Sequence, residues 1–161
     1  MYVPRRQDDQ ILAFIRRTGE HKNVLLVEGA RQVGKTALTE NAIARSGKRG
    51  SCVNLEKDTL LRALIDECES FDAFTRLLRD RSGFVPDADS VLFIDEAQES
   101  LSLGGFVRFM KEDWPRATVI LSGSTLRRLF RDHVRYPVGR VTTLVLGPFS
   151  FSEYLIGLGK E

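Results

Sequence analysis

Eight residues constrain this chain more than any others: Gly29-Ala30-Arg31-Gln32-Val33-Gly34-Lys35-Thr36. They spell G-x-x-x-x-G-K-T, the Walker A pattern. Before them stands Asn23-Val24-Leu25-Leu26-Val27-Glu28, a nearly continuous apolar run that reads as a strand. After them, Ala37 to Ala44 reads as a helix, with Gly47 and Gly50 marking its exit. A strand, a glycine-containing turn and a helix start together suit phosphate. The glycines let the backbone turn tightly and bring N–H groups close to phosphate oxygens. The helix start adds unpaired N–H groups and the positive end of the helix dipole. On this pattern Gly29, Ala30, Arg31, Gln32, Val33, Gly34, Lys35, Thr36 and Ala37 bind a nucleotide. Lys35 reaches the β- and γ-phosphates, and the Thr36 hydroxyl binds Mg²⁺.

A second acidic motif agrees with the first. Val91-Leu92-Phe93-Ile94 is the clearest strand, and it ends in Asp95-Glu96, the Walker B pattern. A buried strand would deliver Asp95 to its carboxyl end, beside the phosphate loop if the two strands are neighbours. There Asp95 would support Mg²⁺ through a water, because magnesium keeps much of its hydration shell. Glu96 would point differently and could orient and deprotonate a water attacking the γ-phosphate. Gln98 reads either as a contact to the γ-phosphate or a neighbouring chain, or as a surface glutamine.

A third apolar run, Thr118 to Leu121, leads into Ser122-Gly123-Ser124-Thr125. Ligands of open α/β sheets sit outside the carboxyl ends of strands. Ser122 or Ser124 is therefore a candidate sensor of the γ-phosphate. Ser124 and Thr125 fit a helix N-cap before Leu126 equally well. Arg127, Arg128, Arg131, Arg135 and Arg140 follow. An arginine often stabilises charge on a phosphoryl group in transit, from within the chain or across an oligomer. Arg140, between Gly139 and the next strand, is the leading candidate.

The remaining pattern alternates helices and strands. Asp8 and Asp9 suit the cap of a short helix through Ile11, Leu12, Phe14 and Ile15, with Gly19 as its stop. Ser51 to Leu55 is a weaker strand. Leu60 to Ile65 and Phe71 to Leu78 have helical spacing and are broken at Ser70. Phe106 to Met110 forms a helical face stopped before Pro115, Leu126 to Phe130 suggests one or two helical turns, and Val141 to Leu146 is a fifth strand. The prediction is an α/β fold of three layers: a mainly parallel five-stranded sheet with helices on both faces, as in P-loop NTPases. Trp114 reads as a packing residue, and His21 and His133 as surface or cap residues.

Composition narrows the setting. The chain has 161 residues, about one domain's worth. Hydrophobic residues are 42% and charged residues 29%, which excludes wholesale disorder. No apolar run approaches the ~20 residues that cross a bilayer, and the N-terminus turns acidic too early for a secretory signal. Cys52 and Cys68 cannot build a disulfide framework, so the expectation is a cytoplasmic protein with two buried thiols. A net charge of +2 makes no case for nucleic acid. Arginine outnumbers lysine 18 to 6; its planar fork suits phosphate and carboxylate, but arginine-rich codon usage and surface ion pairs explain most of the excess.

These motifs, taken together, resemble a known family. Val-Gly-Lys-Thr in the loop, Ile-Asp-Glu-Ala-Gln at 94–98, Leu-Ser-Gly-Ser-Thr at 121–125 and the stretch from Val138 to Leu155 are similar to the predicted AAA+-superfamily ATPases of bacteria and archaea. The resemblance runs from about Tyr2 to Leu155, and 138–155 is its most specific part. It implies Mg-dependent binding and hydrolysis of ATP. Lys35 and Thr36 would bind Mg–ATP, Asp95 support the metal, Glu96 activate water, Ser122 to Thr125 form the sensor, and Arg140 match the late Gly-Arg. Members usually continue into a lid and a C-terminal domain of unknown function. Residues 1–161 would then be a single ATPase core, with 1–20 an N-terminal helical segment. Its partners would be ATP and either a second copy or that C-terminal domain, with no membrane. Two other activities fit the same motifs: a P-loop kinase of a small molecule, and a nucleotide-loaded switch with negligible turnover. No N-K-x-D guanine motif appears, which argues against a GTPase.

Overall fold

Runs of apolar residues that fit no amphipathic pattern must be buried on both sides, and the structure buries them so. In the computed structural model, which describes residues 2–131 and 134–160, five strands form one sheet. They are β1 (Val24–Glu28), β2 (Arg49–Asn54), β3 (Ser90–Asp95), β4 (Thr118–Gly123) and β5 (Val141–Val145). Every pairing is parallel, and the order across the sheet is β2-β3-β4-β1-β5. β3 and β4 are buried along their whole length, and β1 along all but its last residue. The two edge strands, β2 and β5, are partly exposed. Expected and observed fold class agree.

The strand order decides a condition that the sequence left open. β1 and β3 are not neighbours, because β4 lies between them and pairs with both. The phosphate loop and the Asp95-Glu96 pair therefore leave the sheet two strands apart.

Alternation along the strands divides the interior into two cores. Val24, Leu26, Leu92, Ile94, Val119 and Leu121 face one layer. That layer holds α3 (Thr59–Asp66), α4 (Phe71–Ser82) and α5 (Val107–Asp113). Leu25, Val27, Val91, Phe93 and Ile120 face the other, which holds α1 (Asp8–Arg16) and α2 (Lys35–Ser46). A last helix, α6 (Phe151–Gly157), follows β5. The helices begin where local chemistry favours it. Ser70 caps α4 by accepting from Ala73 N, which explains the break before Phe71. Asp58 does the same for α3.

The first layer is built around aromatic rings. Phe74 stacks on Phe106 at 4.6 Å between centroids, and Trp114 lies 4.9 Å from Phe71 and 5.1 Å from Phe84. Trp114 is thus a packing residue, as expected.

Other expectations change. Asp8 and Asp9 occupy the first turn of α1 instead of capping it, and Gln7 stands at the cap position. The Asp8 carboxylate reaches back to Arg5 N at 2.8 Å and to the Tyr2 hydroxyl. Burial, followed by Asp8, pushes the Tyr2 phenol well above its ordinary range. The thiols are not both buried: Cys52 is exposed on edge strand β2, and Cys68 is half-buried. Partial desolvation and then nearby carboxylates push both thiols up, which keeps them protonated. His21 is exposed, with Nδ1 3.0 Å from Lys111 O; His133 lies outside the described residues. Among the described residues, no helix is long and apolar enough to cross a membrane.

Phe74 is fully buried at the centre of the aromatic layer. Replacing it with alanine should lower unfolding stability by about 3–5 kcal/mol, read from urea denaturation.

Candidate nucleotide site

The site begins with backbone geometry. β1 ends at Glu28, and Gly29 turns against the β5 exit so closely that a Cβ there would lie 2.3 Å from Leu146 O. Only glycine fits. Gln32 (φ 63°) and Gly34 (φ 96°) both take positive φ. Such reversals gather successive N–H groups into a concavity that favours anions. At Gln32, a residue with a side chain, this conformation is strained, and strain of that kind clusters at functional sites. α2 then starts at Lys35, and its first turn presents the N–H groups that no helical carbonyl can satisfy.

Lys35 is 5% exposed. Its ammonium donates to Gly29 O at 2.7 Å and Ala30 O at 2.8 Å, so the cation lies folded along the loop's own carbonyls. Arg31 points outward and pairs with Glu56 at 3.3 Å.

Asp95 joins the loop to the second motif. It is 4% exposed. The Thr36 hydroxyl donates to its Oδ2, and Asn54 Nδ2 donates to the same oxygen at 3.2 Å. Ser122 Oγ donates to Oδ1, which also accepts from Glu96 N at 3.0 Å. A buried carboxylate is destabilising unless hydrogen-bonded, and these four donors supply the bonds. The strand order explains how they meet. Asp95 leaves β3 between Asn54, its register partner on β2, and β4, which carries Ser122. Thr36 arrives from beyond β4, at the start of α2.

Glu96 leaves Asp95 in a left-handed conformation, φ 51° and ψ 46°, which turns the chain sharply at the strand end. It is half-buried, and one carboxylate oxygen accepts from Gln98 Nε2 at 2.6 Å. Gln98 is 7% exposed, so it is no surface glutamine. Ser122 is fully buried with its hydroxyl committed to Asp95. Ser124 is half-buried after β4, and Thr125 stands at the cap position of the following turn without a side-chain cap bond.

Arg140 lies elsewhere. A parallel sheet requires the β4–β5 connection to carry the chain from the carboxyl edge back to the amino edge. The residue just before β5 must therefore sit at the amino edge, and Arg140 O accepts from Val24 N at the first residue of β1. The phosphate loop begins a full five-residue strand away, or ~16 Å. The Arg140 guanidinium pairs with Glu112 at 2.8 Å and holds that carboxyl below its ordinary range. Arg140 does not reach the phosphate loop of its own chain. Arg127 and Arg128 lie at the correct edge and are exposed.

The family model for the AAA domain matches residues 21–155. The chain belongs to the AAA domain family. That membership supports a nucleotide-binding, ATPase-like function for the chain. No curated protein matches the chain. The AAA domain match covers all five strands and both motifs, and it begins after α1.

One residue before the matched segment nonetheless holds the AAA domain's loop in place. Arg5 is 8% exposed. It donates to Val33 O at 2.8 Å and to Gly147 O at 2.8 Å, and lies 4.4 Å above the Phe149 ring. Its Nε ion-pairs with Glu153 at 3.3 Å. Glu153 also completes a capping box with Ser150 on α6 and accepts from Arg6 N. Asn54 and Arg5 are the site residues that sequence reasoning missed. A polar residue at the carboxyl end of a strand was the available signal for Asn54; Arg5 had none.

Desolvation raises the Glu153 carboxyl, but the Arg6 and Ser150 amides and then Arg5 outweigh it and hold the group below its ordinary value. Stability from Glu153 is therefore full above its unfolded value near 4.3 and is lost as pH falls through the lower folded value. The gap in melting temperature between wild type and Glu153→Gln should be widest above about pH 5 and narrow as the pH falls below the unfolded value, measured by thermal melts across an acid series.

Proposed function

We propose that this AAA domain binds Mg–ATP and hydrolyses it. The observation carrying the proposal is the Thr36–Asp95 hydrogen bond, which brings the end of the phosphate loop against the acidic strand end. A hydroxyl and a carboxylate at one point would hold magnesium, the first directly and the second through a water, when phosphates and waters complete its shell. Among the described residues there is no group of three or more His, Cys, Asp or Glu side chains that could hold a metal. A site this sparse fits an ion that arrives with its nucleotide. When bound, the ion would neutralise charge on the β- and γ-phosphates.

The remaining work falls to the chain. The amides from Gly29 to Ala37 would hold the phosphate oxygens, and Lys35 would exchange its two loop carbonyls for the β- and γ-phosphates. Asn54, Ser122 and the Glu96 amide keep the Asp95 carboxylate oriented. Glu96 would take the proton of a water as its oxygen attacks the γ-phosphorus. The bond from that phosphorus to the β–γ bridging oxygen breaks, and ADP and inorganic phosphate leave. Ser122 would act through Asp95, with Ser124 as the second sensor candidate. Arg140 would contribute only to a neighbouring copy's site.

Lys35→Ala should abolish nucleotide binding without unfolding the chain, checked by calorimetric titration with ATP alongside circular dichroism. Glu96→Gln should keep ATP affinity and cut phosphate release about 10²–10⁴-fold. Chelation of magnesium should stop release in wild type. Turnover indifferent to all three changes would overturn the proposal.

A further inference from the structure

Gln98 is placed as no residue serving stability alone would be. It is 93% buried, since its exposure is 7%. Its Nε2 donates to Glu96 Oε2 at 2.6 Å, while its buried Oε1 has no hydrogen-bond partner among the described residues. A buried acceptor left unpaired is destabilising, and each such group calls for an explanation. Rotating the amide by half a turn would offer Oε1 to the Glu96 carboxylate, which is repulsive. The carboxylate therefore decides which way the amide faces.

The surroundings hold the amide rigidly. A Cβ on Gly123 would lie 1.9 Å from Gln98 Oε1, so the glycine at the end of β4 is the space this amide occupies. Ala97 is fully buried, and the short turn from Ala97 to Glu99 fixes the backbone beneath. Glu96, by contrast, is half-buried and leaves the strand on a left-handed turn. Among the described hydrogen bonds, Gln98 supplies the one side-chain partner of its carboxylate.

We propose that Gln98 is a positioning residue for hydrolysis: its wedged amide holds one oxygen of the Glu96 carboxylate and leaves the other to take the proton of the attacking water. This deepens the hydrolytic reading and depends on it. Gly123 is the second part of the device, because any side chain there would displace the amide. Gln98 touches Glu96 and acts through it, so its effect must vanish when Glu96 can no longer act as a base.

The test compares wild type, Gln98→Leu, Gln98→Glu, Glu96→Gln and Glu96→Gln/Gln98→Leu for kcat, KM for ATP and melting temperature. Gln98→Leu keeps the volume and removes the amide. It should lower kcat about 10–100-fold with KM for ATP unchanged and the melting temperature equal to or above wild type. Gln98→Glu keeps the shape without the donor and should lose kcat likewise. The double variant should turn over no more slowly than Glu96→Gln alone, the non-additivity expected of residues acting as a unit. Wild-type turnover that needs Glu96 but is unchanged in Gln98→Leu overturns the Gln98 inference alone. So does a loss that tracks melting temperature or adds to that of Glu96→Gln. Wild-type turnover that is absent, or that survives Glu96→Gln, overturns the hydrolytic reading and this inference with it.

Discussion

One buried carboxylate organises this molecule. Asp95 is nearly inaccessible, and a carboxylate in that position is tolerated only when donors surround it. Its donors come from the start of α2, the end of β2, the end of β4 and its own strand end. Satisfying it therefore aligns the carboxyl ends of three adjacent strands and the first turn of one helix. The same contacts that make the acid tolerable assemble the candidate nucleotide site.

A second, smaller network fastens the segments around Arg5 and Glu153 to the phosphate loop. Arg5 spans the phosphate loop, the Gly147-Pro148 turn and Glu153, with Phe149 beneath its guanidinium. Arginine suits this position because its planar fork donates in several fixed directions at once. The segment from Gly147 to Glu153 gains a physical purpose here. Its Ser150–Glu153 capping box starts α6 and at the same time presents a carboxylate to the N-terminal segment. The loop, the exit of the last strand and the segment around Arg5 are thereby held as a unit.

The arrangement also separates the arginines into two groups. The chain after β4 starts at the carboxyl edge of the parallel sheet and must return to the opposite edge before β5. Arg127 and Arg128 lie on the outward part of that path, and Arg140 at its end. Sequence adjacency to a strand says nothing about which edge a residue occupies until the strand's direction is known. Parallel direction was itself predictable from the alternation of strands and helices, so the position of Arg140 followed from premises already in hand.

Local chemistry and periodicity were legible without coordinates. The G-x-x-x-x-G-K-T loop, the Asp95-Glu96 strand end and the alternation of elements are each short-range patterns, and each determined its own secondary structure and donor set. Strand order was not legible, because the pairing of β4 with both β1 and β3 is decided by burial across the whole sheet. The contacts of Asn54, Arg5 and Gln98 were hidden for the same reason. A polar side chain takes its role from the groups it meets, and those groups lie 41, 142 and 2 residues away from them in the chain. Even at a separation of two, the bond between Gln98 and Glu96 depends on a left-handed turn and on a glycine from another strand, neither of which the local sequence specifies.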